Sequence, residues 1–338
     1  MKRTKVVKLG VHSSPHLDEL VAVHLLRNYG EEKIPGVSTA VLTTYGKTEL
    51  QQLSPETAAM QGILLVGIGG GMFDEHGRRG SRQDCAATLV AKHLGLDEDL
   101  LWPRFLRNVF LADAENRGPY TFVAELVKKL NRYWVGTLDP ELLYKQVEPI
   151  IIALRVEVEL LAEAEHRFRK AYKREINGYQ LVAVDQLDNV EFQHVANRAG
   201  VNVVVQRGRD GLTQILMRHA SSDELDVPGL AVRIRKAEMA KSGIRPKRFL
   251  DDRALSAMGT LSDIPQWYVE KGNLLNGSES FRDVPPSGIS FADLVHVVEK
   301  HLRELDDESD PRDSAEKSGK SICEREPAPT EELPVDGD

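Results

Sequence analysis

The apolar positions change period several times along the chain. Lys5 to Val11 alternates, with β-branched residues, and predicts a first strand. A loop from His12 to His16 contains Pro15 and leads to Asp18-Glu19. From there an apolar helical spacing runs through Leu20, Val21, Val23, Leu25 and Leu26 to Tyr29. Acidic residues in a first helical turn face the positive end of the helix dipole. Val37 to Thr44 predicts a second strand. Ile63 to Ile68 predicts a third, apolar on both faces as expected of a buried parallel strand, and Gly69-Gly70-Gly71 breaks it. Cys85 to Leu94 and Phe105 to Ala112 return to helical spacing. Strands alternating with helices predict an α/β layer.

Pro140 to Ile176 is rich in Leu, Glu, Ala, Lys and Arg and predicts one or two long helices, ended by Asn177-Gly178. A second α/β segment follows, with Tyr179 to Val184 as strand and Glu191 to Ala199 as helix. Val201 to Gln206 and Leu212 to Met217 flank Gly208-Arg209-Asp210-Gly211 as a hairpin. Trp267 to Leu275 predicts one further strand and Phe291 to Leu302 a closing helix. These patterns give an α/β protein with an N-terminal parallel-sheet domain over 1–138, a helical linker over 139–177 and a smaller C-terminal α/β domain over 178–303. The polar, proline-containing stretch 304–338 reads as a disordered tail.

Charge changes this picture in one respect. The formal net charge of the 338 residues is -8, yet Glu304 to Asp338 contain 13 acidic and 4 basic residues, which leaves the body near +1. An acidic total therefore does not exclude a polyanionic substrate. No run of about 18 apolar residues predicts a membrane span, and the basic start lacks a signal-peptide core, so a cytoplasmic protein is expected. Cys85 and Cys323 are the 2 cysteines, too few for a disulfide framework or a thiolate zinc site.

Candidate chemistry concentrates in three places. His12-Ser13-Ser14-Pro15-His16-Leu17-Asp18-Glu19 sets two imidazoles and a carboxylate between a strand and a helix, where open α/β sheets bind ligands. His and Asp together suit manganese, iron or zinc, and magnesium less well. Solvated loop histidines and an ordinary helix cap are the plainer account of the same residues. Gly69-Gly70-Gly71-Met72-Phe73-Asp74-Glu75-His76 again follows a strand, with glycines that let backbone approach an ion or phosphate. Gly67 and Gly69 lack the third glycine of a dinucleotide fingerprint, because Met72 stands in its place. Asp113 lies in Ala112-Asp113-Ala114 on an otherwise apolar helical stretch, a costly place for an unpartnered carboxylate. Arg233-Ile234-Arg235-Lys236 and Arg245-Pro246-Lys247-Arg248 are basic pairs able to track a nucleic-acid backbone or simply to face solvent.

The order of these clusters resembles the DHH phosphoesterase superfamily, whose first motif reads His-x-x-x-Asp-x-Asp. His12, His16 and Asp18 occupy its three positions. A histidine in the middle is similar to the MYG (melanocyte-proliferating-gene-like) branch, which contains metal-dependent 3′-5′ RNA exonucleases. Phe73-Asp74-Glu75-His76 and Ala112-Asp113-Ala114 follow in that branch's order, so the resemblance spans roughly residues 6 to 118. It implies a manganese-dependent phosphoesterase with His12, His16, Asp18, Glu75 and Asp113 as metal ligands and with His76 and Asp74 catalytic. It also implies phosphate contacts from Lys271, Asn276, Gly277 and Ser278, and a phosphate-containing small molecule or short nucleic acid as substrate. Two positions depart from the pattern. Gly67 stands where the superfamily carries a metal-bridging Asp, and Glu75 replaces the first His of the namesake triplet. A catalytically degenerate nucleotide- or phosphate-binding module is the alternative that Gly67 suggests.

Overall fold

The computed structural model describes residues 5–76, 83–99, 101–133, 139–218, 225–246, 249–277 and 283–305. Contacts divide the chain into two units, Met1–His166 and Arg167–Asp338.

In the first unit β1 (Lys8–His12) is the middle strand of a parallel sheet ordered β2-β1-β3, with β2 at Val41–Tyr45 and β3 at Ile63–Leu65. Leu9 and Val11 are fully buried, whereas His12, the last residue of β1, is exposed at the carboxyl end of the sheet. Helix α1 (Leu17–Tyr29) follows directly. It is buried on most of its surface because it packs against α4 (Ala86–Leu94), α5 (Trp102–Ala114) and α6 (Thr121–Tyr133). Two short helices, α2 (Lys47–Gln52) and α3 (Pro55–Met60), connect β2 to β3. The predicted strand from Val37 is in fact a 3-10 turn over Val37–Thr39. The Glu31 carboxylate accepts the Gly36 and Ser38 amides, diverting that backbone from the sheet until Val41.

Helix α7 (Pro140–Lys170) corrects the expected linker. Leu143, Tyr144, Val147, Ile151 and Val158 belong to the same buried cluster as Leu9, Leu20 and Phe105. Glu141 at its start receives both guanidinium nitrogens of Arg27 and the Leu42 amide. The helix is therefore a core element of the first unit, not a spacer.

The second unit is built on a mixed seven-stranded sheet ordered β4-β5-β6-β7-β10-β9-β8. Its strands are β4 (Tyr172–Ile176), β5 (Tyr179–Val184), β6 (Val203–Arg207), β7 (Thr213–Met217), β8 (Gly259–Leu261), β9 (Ile264–Glu270) and β10 (Asn273–Asn276). Only β5 and β6 run parallel, joined through α8 (Glu191–Arg198); β6 and β7 form the expected hairpin. Tyr172 to Ile176, predicted to be the end of a helix, is an edge strand. Asn177 and Gly178 both have positive φ and so make a hairpin turn into β5 instead of a helix stop. Trp267 to Leu275, predicted to be one strand, folds into β9 and β10 around Lys271-Gly272. Helices α9 (Val227–Ser242) and α11 (Phe291–Glu304) cover the sheet; the short α10 (Asp252–Leu255) leans on α9. The stretch 304–338, read as a disordered tail, starts inside α11 at Glu304, and residues 306–338 lie outside the described residues.

Among the described residues, no helix is long and apolar enough to cross a membrane.

Candidate metal centre

The first unit gathers its acidic and imidazole groups at the carboxyl end of its sheet. His16 is the N-cap of α1, and its backbone amide is accepted by Glu19, three residues on. Asp18 and Glu19, in the same first turn, are almost wholly buried, at 2% and 4% exposure. Asp18 Oδ2 accepts the Ala86 amide at 3.1 Å, so the carboxylate sits at the amino end of α4 as well.

The glycine-rich segment after β3 folds back on itself. Val66 bridges Phe73, and the Gly67 amide donates to the Phe73 carbonyl at 2.9 Å. Asp74 closes the loop: its carboxylate accepts the Gly70 amide at 2.6 Å and the His76 amide at 2.9 Å. That arrangement leaves Glu75 facing inward and His76 largely in solvent, the His76 Nδ1 lying 3.3 Å from Glu75 and 3.4 Å from Asp74. Asp74, placed by sequence among the catalytic groups, here spends its oxygens on backbone donors.

Asp18, Glu75 and Asp113 come together from three segments distant in sequence, with one carboxylate oxygen of each within 4.8 Å of the others. A second group of the same tightness, His16, Asp18 and Glu19, shares Asp18 with the first. His16 Nδ1 lies 3.5 Å from Asp113, and the His16 ring stacks on His12 at 6.2 Å between centroids. Of the five residues read from sequence as metal ligands, His16, Asp18, Glu75 and Asp113 fall in these two groups, and His12 lies beside them through its contact with the His16 ring.

The electrostatics are those of a site short of positive charge. Burial, reinforced by Asp113, Glu19 and Glu75, pushes the Asp18 carboxyl well above the carboxylate range. Burial likewise raises Glu75, and takes Glu19 up to about 7 against the opposing bonds from the His16 and His12 amides. Asp113 raises His16; burial, with His16 and His76 near, lowers His12. Among the described residues no Lys or Arg forms an ion pair with Asp18, Glu19, Glu75 or Asp113. Glu75 Oε2 is buried without any hydrogen-bond partner among them. Like-charged carboxylates at this spacing need protons or a cation between them. A hard divalent ion fits the donor set, and the orphaned Glu75 oxygen is available to it.

Two supports were not visible in the sequence. Glu19 holds the amides of both His12 and His16, and Asn131 on α6 donates to the Pro15 carbonyl at 2.8 Å. Partners 116 residues apart carry no local signal. A cavity of about 480 Å³ in the same unit, lined by Asp84, Lys92, Arg107 and Phe110, contains none of the clustered residues.

The second unit does not assemble the expected phosphate contacts. Lys271 and Gly277 flank opposite ends of β10 and line different clefts. Asn276 is fully buried, donating to the Gln266 and Pro285 carbonyls and accepting from the Ser287 amide, so it is a structural bracket. Ser278 lies outside the described residues. The basic pair in α9 is likewise engaged: Arg235 is fully buried and donates to the Leu255, Ala257, Gly259 and Trp267 carbonyls. Arg233 pairs with Glu304 and Lys236 with Asp252. Lys247 and Arg248, in the second basic pair, lie outside the described residues.

Comparison of the sequence with protein-family models finds no match, and comparison with curated proteins finds none.

Proposed function

We propose that the chain is a metal-dependent phosphoesterase of the DHH type, with manganese as the preferred cation and a short nucleic acid or small nucleotide as substrate. The observation that carries this reading is the meeting of Asp18, Glu75 and Asp113 within 4.8 Å with no Lys or Arg among the described residues paired to them. Asp18, Glu75 and Asp113 would hold the cation, with His16 and His12 at its flank. When bound, such an ion polarises a phosphoryl oxygen and lowers the pKa of water from 15.7 toward about 7.

The chain's own groups account for the remaining work. The exposed His12, His16 and His76 give a phosphate access to the carboxylates from solvent. His76, flanked by Glu75 and Asp74, is placed to hydrogen-bond a phosphate oxygen or return a proton to a leaving oxygen. Asp74 keeps the loop folded so that Glu75 points inward.

One observation favours the second reading, a phosphate- or nucleotide-binding module without turnover: position 67 is glycine, so the third strand supplies no carboxylate. An assay with manganese and a bis-aryl phosphate or short RNA, beside Asp18→Ala, separates the two. Manganese-dependent hydrolysis lost in the variant supports the enzyme. Nucleotide binding without hydrolysis in the parent chain rejects it in favour of the module.

A further inference from the structure

The loop that carries the two histidines is fastened by one carboxylate at both of its ends. Glu19 Oε1 accepts the His12 amide at 2.8 Å and Oε2 accepts the His16 amide at 2.8 Å. Asn131 fixes the loop between them through the Pro15 carbonyl. Removing Glu19 leaves those two amides without their acceptor, and Asn131 and the contact of His16 with Asp113 then remain to hold the loop.

Glu19 can lie where it does only because of a residue on another element. A β-carbon built on Gly67 would stand 2.8 Å from Glu19 Cγ, 3.1 Å from Oε1 and 3.2 Å from Cδ. Real β-carbons do not approach another carbon as closely as 2.8 Å, and the carboxylate end of Glu19 is held in place because both of its oxygens accept backbone amides. Gly67 also has φ +71°, a conformation that side chains disfavour. Any side chain at 67 and Glu19 in its present rotamer therefore exclude one another. The glycine that removes a carboxylate from the third strand makes room for one from α1.

We propose that Glu19 is a positioning residue for the cation centre and that Gly67 exists as glycine to admit it. With both oxygens already accepting backbone amides, Glu19 acts as a clamp that presents His12 and His16, not as a ligand. The claim rests on the metal reading only for the purpose of the clamp; the clamp itself is read from the amides. Groups that orient metal ligands typically change metal affinity by about 10–100-fold when removed.

The test uses the full chain labelled with 15N-histidine, which has only 10 histidines to assign. Amide exchange at His12 and His16 is followed without metal, and Mn2+ affinity is measured by the paramagnetic resonance of free Mn2+. In the parent chain both amides exchange slowly. Glu19→Ala releases both and weakens Mn2+ binding about 10–100-fold. Gly67→Ala gives the same two signatures although Glu19 is intact. Glu19→Gln, which keeps a carbonyl acceptor of the same shape, is intermediate in both and serves if the alanine variant does not fold. The proposal is overturned if either alanine variant keeps both amides protected, or if amide release leaves Mn2+ affinity unchanged. If the parent chain binds no Mn2+, the metal reading fails by itself, and the amide exchange alone upholds or overturns the clamp.

Discussion

Asp18 is held by one backbone donor while three other carboxylates crowd it, and its burial denies it water. Replacing it with asparagine keeps the bond from Ala86 and removes a buried charge. Asp18→Asn is therefore expected to melt at or above the parent temperature in chelator, and to lose the Mn2+-dependent rise. At Mn2+ 100-fold above its dissociation constant that rise corresponds to about 2.7 kcal/mol in the parent. Scanning fluorimetry with and without Mn2+ checks this, and an equal shift in both proteins contradicts it. His301 in the second unit offers an independent residue-scale test. Burial lowers its pKa below 6.5, opposed by Asp226 and Glu304 and aided by Arg233, and its Nε2 donates to the Leu225 carbonyl. The unfolded chain then takes up a proton first, so the stability from neutral His301 is present above pH 6.5 and is lost as pH falls below it. His301→Gln should flatten the decline in urea midpoint as pH falls below 6.5; an unchanged slope refutes the assignment. At this scale the sequence revealed residue types able to bind a cation, because His12, His16 and Asp18 cluster locally. It concealed Asn131, whose partner is a backbone atom set by tertiary contact, the double role of Glu19 on the His12 and His16 amides, and the binding of Asp74 to its own loop.

Helix α7 and strand β4 show why element type was harder to read than element position. Pro140 to Ile176 is uniformly rich in charged and apolar residues, so propensity continues past Lys170, where pairing with β5 captures the chain. The Asn177-Gly178 turn enforces that capture through two left-handed residues. Gly178→Val should cost about 1–2 kcal/mol, the penalty for a side chain in that conformation, read as a lower urea midpoint. A cost near zero would mean that the turn does not fix the register. Helix α9 makes the opposite point: its basic run looks like a phosphate-tracking face, yet Arg235 is a buried brace for four carbonyls. A lysine has three donors and no planar fork, so Arg235→Lys is expected to destabilise by roughly 2–3 kcal/mol despite keeping the charge. Wild-type stability in that variant would remove the brace from the account.

Across the whole molecule, alternation of strands and helices made the α/β character legible from the chain alone. Placement of the boundary was not legible, since a long amphipathic helix reads the same whether it spaces two domains or completes one core. The first unit's core includes α7, and with it comes the ion pair from Arg27 to Glu141 that ties this helix to α1. The functional account needs the first unit above all, because the five metal-ligand candidates and the glycine-rich loop lie there, while Lys271 and Asn276 in the second unit serve different sites and the hairpin core. Anomalous diffraction from crystals of the full chain soaked in Mn2+ tests the central claim most directly. The account predicts a peak bounded by the carboxylates of Asp18, Glu75 and Asp113; density with Mn2+ bound elsewhere, or these three carboxylates free of any ion at saturating Mn2+, would contradict it.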